Sequence, residues 1–200
     1  LVGSATEDNL KALGAAAASS GNLAMFHAVG LTPEAPSLLD ACQGVTPLAT
    51  IKITSADIRG ARDELSSTAD RPLATVSLGT PHYSLAEIGR LYELLAGSLI
   101  ASTVAFYVST ARETLHEAML HGWVSPLREA GVIFVTDTCT YITPILRDTT
   151  GLGMTDSAKW AYYAPGNIGV EAVLGSVSEC VRSAIAGKVV RCDWMWSNAS

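Results

Sequence analysis

Apolar runs of five to seven residues recur along the chain, at 23–29 (LAMFHAV), 49–54, 73–78, 103–108 and 131–135. Each is bounded by turn-forming residues, and most are rich in β-branched or aromatic side chains. Runs of this kind predict buried strands. Helical periodicity fills the gaps between them. Thr6 can cap a helix that Gly21 closes, and a short helix near 37–42 ends at Gly44. Ser55 can cap the next, to about residue 65. SLAE places Ser84 and Glu87 at capping-box spacing for a helix to residue 96. Thr110 and Glu113 repeat that spacing for a helix to about residue 121, and a short helix at 124–130 ends at Gly131.

Five strand-then-helix repeats with short connections predict an α/β fold, a parallel sheet flanked by helices. After Thr150 the pattern changes. GLGMTDSAKWAYYAPGNIGVEAVLG is rich in Gly and aromatics and predicts irregular structure, followed by a helix at 176–186 that Gly187 closes. The expected organisation is a parallel-sheet domain over 1–150, with an irregular segment plus terminal helix over 151–200 that completes the site.

Composition narrows the function classes. The chain has 200 residues, enough for one large domain or two small ones. It is 48% hydrophobic with mean hydropathy +0.29, so it can bury a sizeable core. Only 16% of residues are charged, against roughly 25% in an average soluble domain. A weakly charged surface suits packing against another domain or subunit. A net charge of −6 and a pI near 5.1 argue against nucleic acid and anionic membrane as partners. No apolar run approaches the ~20 residues of a membrane span.

The first residues, LVGSATEDNLK, hold no basic region and no apolar core of a secretory signal. They also lack Met and open at the edge of a helix, which predicts one piece of a longer protein. The four cysteines, Cys42, Cys139, Cys180 and Cys192, show no CxxC spacing. Without an export signal this predicts reduced thiols or metal ligands in a cytoplasmic protein, rather than disulfides.

In a parallel α/β sheet, ligands bind outside the carboxyl ends of the strands. Those ends carry His27 and Gly30, then Ser55, then Gly79, Thr80, Pro81, His82 and Ser84, then Ser109 and Thr110, and finally Asp137, Thr138 and Cys139. Helix N-termini point to the same edge and favour an anion such as a carboxylate. Each group also has a plain structural reading. His27 between Phe26 and Val29 suits a core histidine. Ser55, Ser84 and Thr110 are explained as helix caps, and Asp137 as a turn cap. Cys139 suits a small buried hydrophobe, and Lys159 a surface cation. P-loop, GxGxxG, HExxH and GxSxG motifs are absent. The residues alone lead to an α/β protein with a polar strand-end site and two or three thiols able to bind metal.

Five stretches, GNLAMFHAVGLTPEAP, SLGTPHYSLAEI, FVTDTCTYI, TDSAKWAYY and GSVSECVRSAIAGKV, together resemble the aconitase X family, in its order and over nearly the whole chain. The resemblance covers the later part of the family's large subunit. It implies a partner, the small swivelling domain or subunit, which is not in this chain. It also implies an iron-dependent hydro-lyase, or dehydratase, of the aconitase superfamily. Bacterial members dehydrate cis-3-hydroxy-L-proline to Δ1-pyrroline-2-carboxylate, and archaeal members dehydrate mevalonate 5-phosphate.

Cys139 of DTC and Cys180 of SEC then resemble iron ligands. Some members carry Cys at the second position of GxPH, where this chain has Thr80. A third ligand has to come from Cys42, Cys192, His82 or a region outside the chain. The implied centre is an iron–sulfur cluster of the 2Fe-2S type or a mononuclear iron, rather than a four-iron cluster. Removing water from a hydroxy-carboxylate substrate needs a base, a polariser for the leaving hydroxyl, and donors for the carboxylate. His82, Lys159 and Asp137 are the catalytic candidates, with a serine of the swivelling domain as a further base. Ser84, Thr138 and Thr80 are the substrate-binding candidates. The form GTPHYS and the lack of a Lys/Arg cluster favour hydroxyproline over a phosphorylated substrate. A fragment that binds its partner domain without catalysis is the alternative from a different class.

Overall fold

The computed structural model describes residues 5–68 and 70–192. The outer ends of the two expected segments, 1–4 and 193–200, therefore lie outside the described residues. The chain divides into two units, Leu1–Thr54 and Ser55–Ser200.

The first unit holds α1 (Glu7–Gly21) and the short α2 (Leu38–Ala41). Thr6 caps α1 in a reciprocal box with Asn9, and Asn22 closes it in the left-handed region at φ 52°. The apolar runs 23–29 and 49–54 are not strands, contrary to their pattern. A strand exists only when a neighbour takes its backbone groups, and no described segment pairs with either run. In the first run a local turn serves instead, Ala28 O accepting from Leu31 N and Thr32 N at 2.9 Å each. Met25 and Ile51 are 76% and 81% exposed, so these large side chains form no core of the first unit.

The second unit begins with α3 (Ser55–Glu64) and continues as β1 (Leu73–Tyr83), α4 (Leu85–Leu95), β2 (Ala105–Thr110), α5 (Arg112–Leu120), α6 (Val124–Glu129) and β3 (Val132–Thr136). It then adds β4 (Leu152–Thr155), α7 (Ala158–Ile168), β5 (Ala172–Leu174) and α8 (Val177–Ala186). The strands form one parallel five-stranded sheet in the order β3-β2-β1-β4-β5. The α/β expectation therefore holds, but two of the five strands are not the expected ones. β4 and β5 lie in the segment expected to be irregular. They are four and three residues long, too short for a pattern of their own, and they become strands by pairing onto β1 and each other.

The two sheet faces differ in chemistry. Val76, Leu78, Phe106, Val108, Met154 and Val173 point to one face and join α4, α5, α6 and α8 in the main core. On α4, Ile88, Leu91 and Leu95 are spaced to fall on one side of the helix, and all are buried. The second face alternates with the first and carries Ser77, Tyr107, Ser109 and Thr155, all buried. It is covered by α7 and by a smaller cluster around Tyr141, Trp160 and Val170. A Cβ on Gly153 would stand 2.6 Å from the Trp160 ring, so a glycine is what lets α7 approach. A buried hydroxyl without a partner costs ~1–3 kcal/mol. The segment covering this face must therefore offer polar partners among its apolar ones, and residues 137–148 supply them. Tyr107 Oη donates to Ile145 O at 3.4 Å and accepts from Arg147 N at 3.0 Å.

Candidate functional site

The strand order reverses at β1. The chain leaves it on one side for β2 and β3, then returns on the other for β4 and β5. A doubly wound sheet opens a crevice at such a point, outside the carboxyl ends of the two strands on either side. Here those ends are Gly79–Tyr83 on β1 and the Thr155–Asp156–Ser157 turn after β4.

Gly79 has φ +83°, and Thr80–Pro81 is a cis peptide. Ser157 Oγ donates to the Thr80 carbonyl and accepts from Trp160 N at 3.0 Å. It thus caps α7 and holds the β1 turn together. Thr155 Oγ1 donates to Ser77 O at 2.7 Å, a second tie across the same border. Two hydroxyls here are buried without a hydrogen-bond partner among the described residues, Thr80 Oγ1 and Ser109 Oγ. Lys159, the second residue of α7, is half-buried and makes no ion pair among the described residues. Ser84 caps α4, its hydroxyl accepting from Glu87 N at 3.2 Å while Glu87 returns a bond to Ser84 N at 2.8 Å.

The second expected box, Thr110 with Glu113, does not form. Ala111 is the N-cap residue of α5 and gives no side-chain bond. Thr110 Oγ1 instead donates to Tyr83 O at 2.7 Å, tying β2 to β1. Asp137 takes over the cap from another strand. It sits in the left-handed region at φ 60°, accepts from Arg112 N at 3.2 Å, and pairs with the Arg112 guanidinium. The Arg112 side chain, and then its backbone N–H, hold the Asp137 carboxyl below the usual range, with His82 adding a smaller effect. A carboxyl lowered on folding contributes stability that is present above its unfolded pKa. That contribution is lost as pH falls through the folded value. Thermal melts of Asp137→Asn should therefore change less than wild type between about pH 6 and about pH 3. Equal slopes would remove Asp137 from the acid response.

Beyond Asp137 the loop is held on both sides of Cys139. Thr138 O lies 3.2 Å from His82 Nε2, and Thr138 Oγ1 lies 2.6 Å from Thr143 Oγ1. The Cys139 carbonyl accepts from Ile142 N and Thr143 N at 3.2 Å each. Thr140 Oγ1 lies 2.6 Å from Ser77 Oγ and accepts from Trp160 Nε1 at 2.7 Å. Cys139 itself is half-buried, against the smaller cluster. The structure thus brings Thr80, His82, Thr138, Cys139 and Lys159 to the carboxyl edge around β1, while Asp137 and Ser84 are engaged as helix caps.

Sequence reasoning missed Tyr83 and Asp156. The buried Tyr83 Oη donates to Asp156 Oδ2. Burial, then the neighbouring Asp156 charge, pushes the phenol well above its ordinary value. The two residues are 73 positions apart, and Asp156 ends a strand that has no pattern of its own, so the strand-end rule could not reach it. Cys180 is fully buried in the main core, on the first face. Burial first, then Asp156 and Glu179, push its thiol well up. Glu179 is also fully buried and accepts from Ser176 N and Cys192 N at 2.8 Å each. Cys42 and His27 belong to the first unit.

Residues 73–186 match the family model for the aconitase X third domain, and residues 1–63 match that for the aconitase X second domain. The chain belongs to the aconitase X family. Among curated aconitase X relatives, a cis-3-hydroxy-L-proline dehydratase of Pseudomonas aeruginosa is 36% identical over 90% of this chain and 32% of its own length. A protein of the same description from Hypocrea jecorina is 38% identical over 91% of this chain and 31% of its own. A phosphomevalonate dehydratase large subunit of Methanothermobacter thermautotrophicus is 37% identical over 90% of this chain and 43% of its own. The chain thus spans less than half the length of each. The crystal structure of Thermococcus kodakaraensis aconitase X in its holo form superposes with TM-score 0.76 at 24% identity, over 90% of this chain and 44% of that one. That match shows a shared fold.

The iron centre implied for aconitase X needs a closed donor set. The soft thiols suit iron, but Cys180 lies in the core of the first face and Cys139 packs against the cluster of the second. Among the described residues, no three His, Cys, Asp or Glu side chains come together as a metal-holding group. The described residues by themselves do not fit such a centre.

Proposed function

We propose that this chain is the sheet-bearing part of a larger cytoplasmic hydro-lyase, and that the complete enzyme removes water from cis-3-hydroxy-L-proline to give Δ1-pyrroline-2-carboxylate. The observation that carries the reading is Lys159, a half-buried cation that makes no ion pair among the described residues, held at the N-terminus of α7 beside the switch-point crevice. A half-buried ammonium at a helix N-terminus favours a carboxylate ligand. The unpartnered Thr80 hydroxyl stands at the adjoining strand end and can complete that seat. Thr138 and Ser84 flank the crevice as further substrate contacts. His82, whose Nε2 lies 3.2 Å from Thr138 O, is the group of this chain that moves a proton.

A partner, the small swivelling domain or subunit, belongs to the same proposal, supported by the relatives named as large subunits. The iron requirement belongs to the same proposal, with Cys139 as a candidate donor to a 2Fe-2S or mononuclear centre; Cys180 lies in the core of the other sheet face, so the remaining donors must come from outside the described residues.

Lys159 suits a substrate with one carboxylate, and Arg112 is already engaged by Asp137. The relatives named phosphomevalonate dehydratase keep the second substrate in view. The test gives the complete, iron-reconstituted enzyme cis-3-hydroxy-L-proline and mevalonate 5-phosphate side by side. Loss of hydroxyproline with formation of the pyrroline carboxylate is expected. Turnover of mevalonate 5-phosphate alone would overturn the substrate. Binding of the partner domain without turnover of either would overturn the enzymatic reading. Lys159→Met should raise KM roughly 10- to 100-fold with a smaller change in kcat, the loss of one charge-assisted hydrogen bond. An unchanged KM would remove Lys159 from the carboxylate seat.

A further inference from the structure

Thr140 follows Cys139 directly, and its side chain has no exposure at all. Its hydroxyl joins Ser77 of β1 and Trp160 of α7, both equally buried. A site that needed only packing would be served by apolar side chains of the same shape. Three buried polar groups are favourable only while every bond is made. The bonds connect three separate pieces of the fold, namely the central strand, the helix leaving the switch point, and the loop that carries the thiol. On the other side of Cys139, Thr138 is held by His82 and Thr143.

We propose that Ser77, Thr140 and Trp160 are positioning residues that fix where Cys139 presents its thiol relative to the β1/β4 crevice. The proposal rests on the reading of Cys139 as a functional thiol. In it the indole N–H of Trp160 sets the Thr140 rotamer, and Thr140 anchors the backbone on which Cys139 stands.

The test uses the complete enzyme after chelator treatment, pulsed with iodoacetamide, with alkylation of Cys139 and Cys180 followed by peptide mass spectrometry. Thr140→Val and Trp160→Phe should speed modification of Cys139 about fivefold, the size of one lost net hydrogen bond, while Cys180 is unchanged. Thr140→Ser, which keeps the hydroxyl, should restore the wild-type rate. A wild-type Cys139 rate in Thr140→Val alongside a lowered melting temperature would overturn the proposal, because that is the behaviour of an ordinary core defect. An equal rise at Cys180 would overturn it too, as general loosening. Should Trp160→Phe not fold, Thr140→Val and Ser77→Ala decide the matter. Full turnover in Cys139→Ala would instead refute the reading of the thiol and leave the positioning result standing, so the two failures are told apart.

Discussion

Cys139→Ala should abolish turnover by the complete enzyme while leaving the fold intact. The substitution removes one sulfur from a half-buried side chain at the edge of the smaller cluster. Nothing else in the loop depends on it, because the hydrogen bonds run through the Cys139 carbonyl and through Thr138 and Thr140. The stability cost should stay below about 1.5 kcal/mol, as for other small changes of volume. A thiol that only filled space would show that loss and nothing more. A thiol that holds a metal or faces the substrate should lower kcat/KM by more than the roughly 10–100-fold typical of losing a ligand's supporting contact. Elemental analysis and EPR of the reconstituted protein give the parallel readout. Iron content and turnover that survive the substitution would show Cys139 to be packing alone.

That contrast explains how much of the site could be seen beforehand. A lone cysteine after an apolar strand is ambiguous by itself, and what separates the readings is its surroundings. The sequence shows Thr138 and Thr140 on either side of it but not that their bonds run to His82, Ser77 and Trp160. Those partners lie 56, 63 and 20 residues away along the chain. The strand-end rule did place Thr80, His82, Thr138 and Cys139 at the carboxyl edge, because β1 and β3 are long enough to announce themselves. It could not find Asp156, because β4 is a strand only by virtue of β1 beside it.

The same physics produced the opposite error in the first unit. There LAMFHAV and the run at 49–54 are apolar enough to be strands, yet no described segment pairs with them. Capping followed suit. Where the cap hydroxyl and the N–H it accepts from are three residues apart, as at Thr6 and Ser84, the local pattern was sufficient. At α5 the cap is Asp137, supplied across 25 residues, and local spacing pointed to Thr110 instead.

Gly79→Ala should be the most destabilising single methyl in the second unit. Gly79 has φ +83°, a region that costs a side chain of the L series about 1–3 kcal/mol. Space is a separate obstacle. An added Cβ would stand 2.1 Å from the Ser109 carbonyl oxygen and 2.9 Å from its N and C atoms. Those are backbone atoms of β2, and β2 is fixed between β1 and β3, with Ser109 in register with Val135. No side-chain rotation relieves the clash, so overpacking adds about another 1–3 kcal/mol. A total near 4 kcal/mol corresponds to a fall in melting temperature on the order of 10 °C for a unit of this size. The consequence for the site is as direct. Any relaxation that separates β1 from β2 here moves Thr80 and His82, which follow Gly79 immediately, away from the Ser157 and Thr138 contacts that hold them. Activity should therefore be lost even at temperatures where the variant remains folded. A variant that melts within about 2 °C of wild type, less than 1 kcal/mol on this scale, would mean that β2 yields, and that the turn leading into the site is not held in place by the sheet.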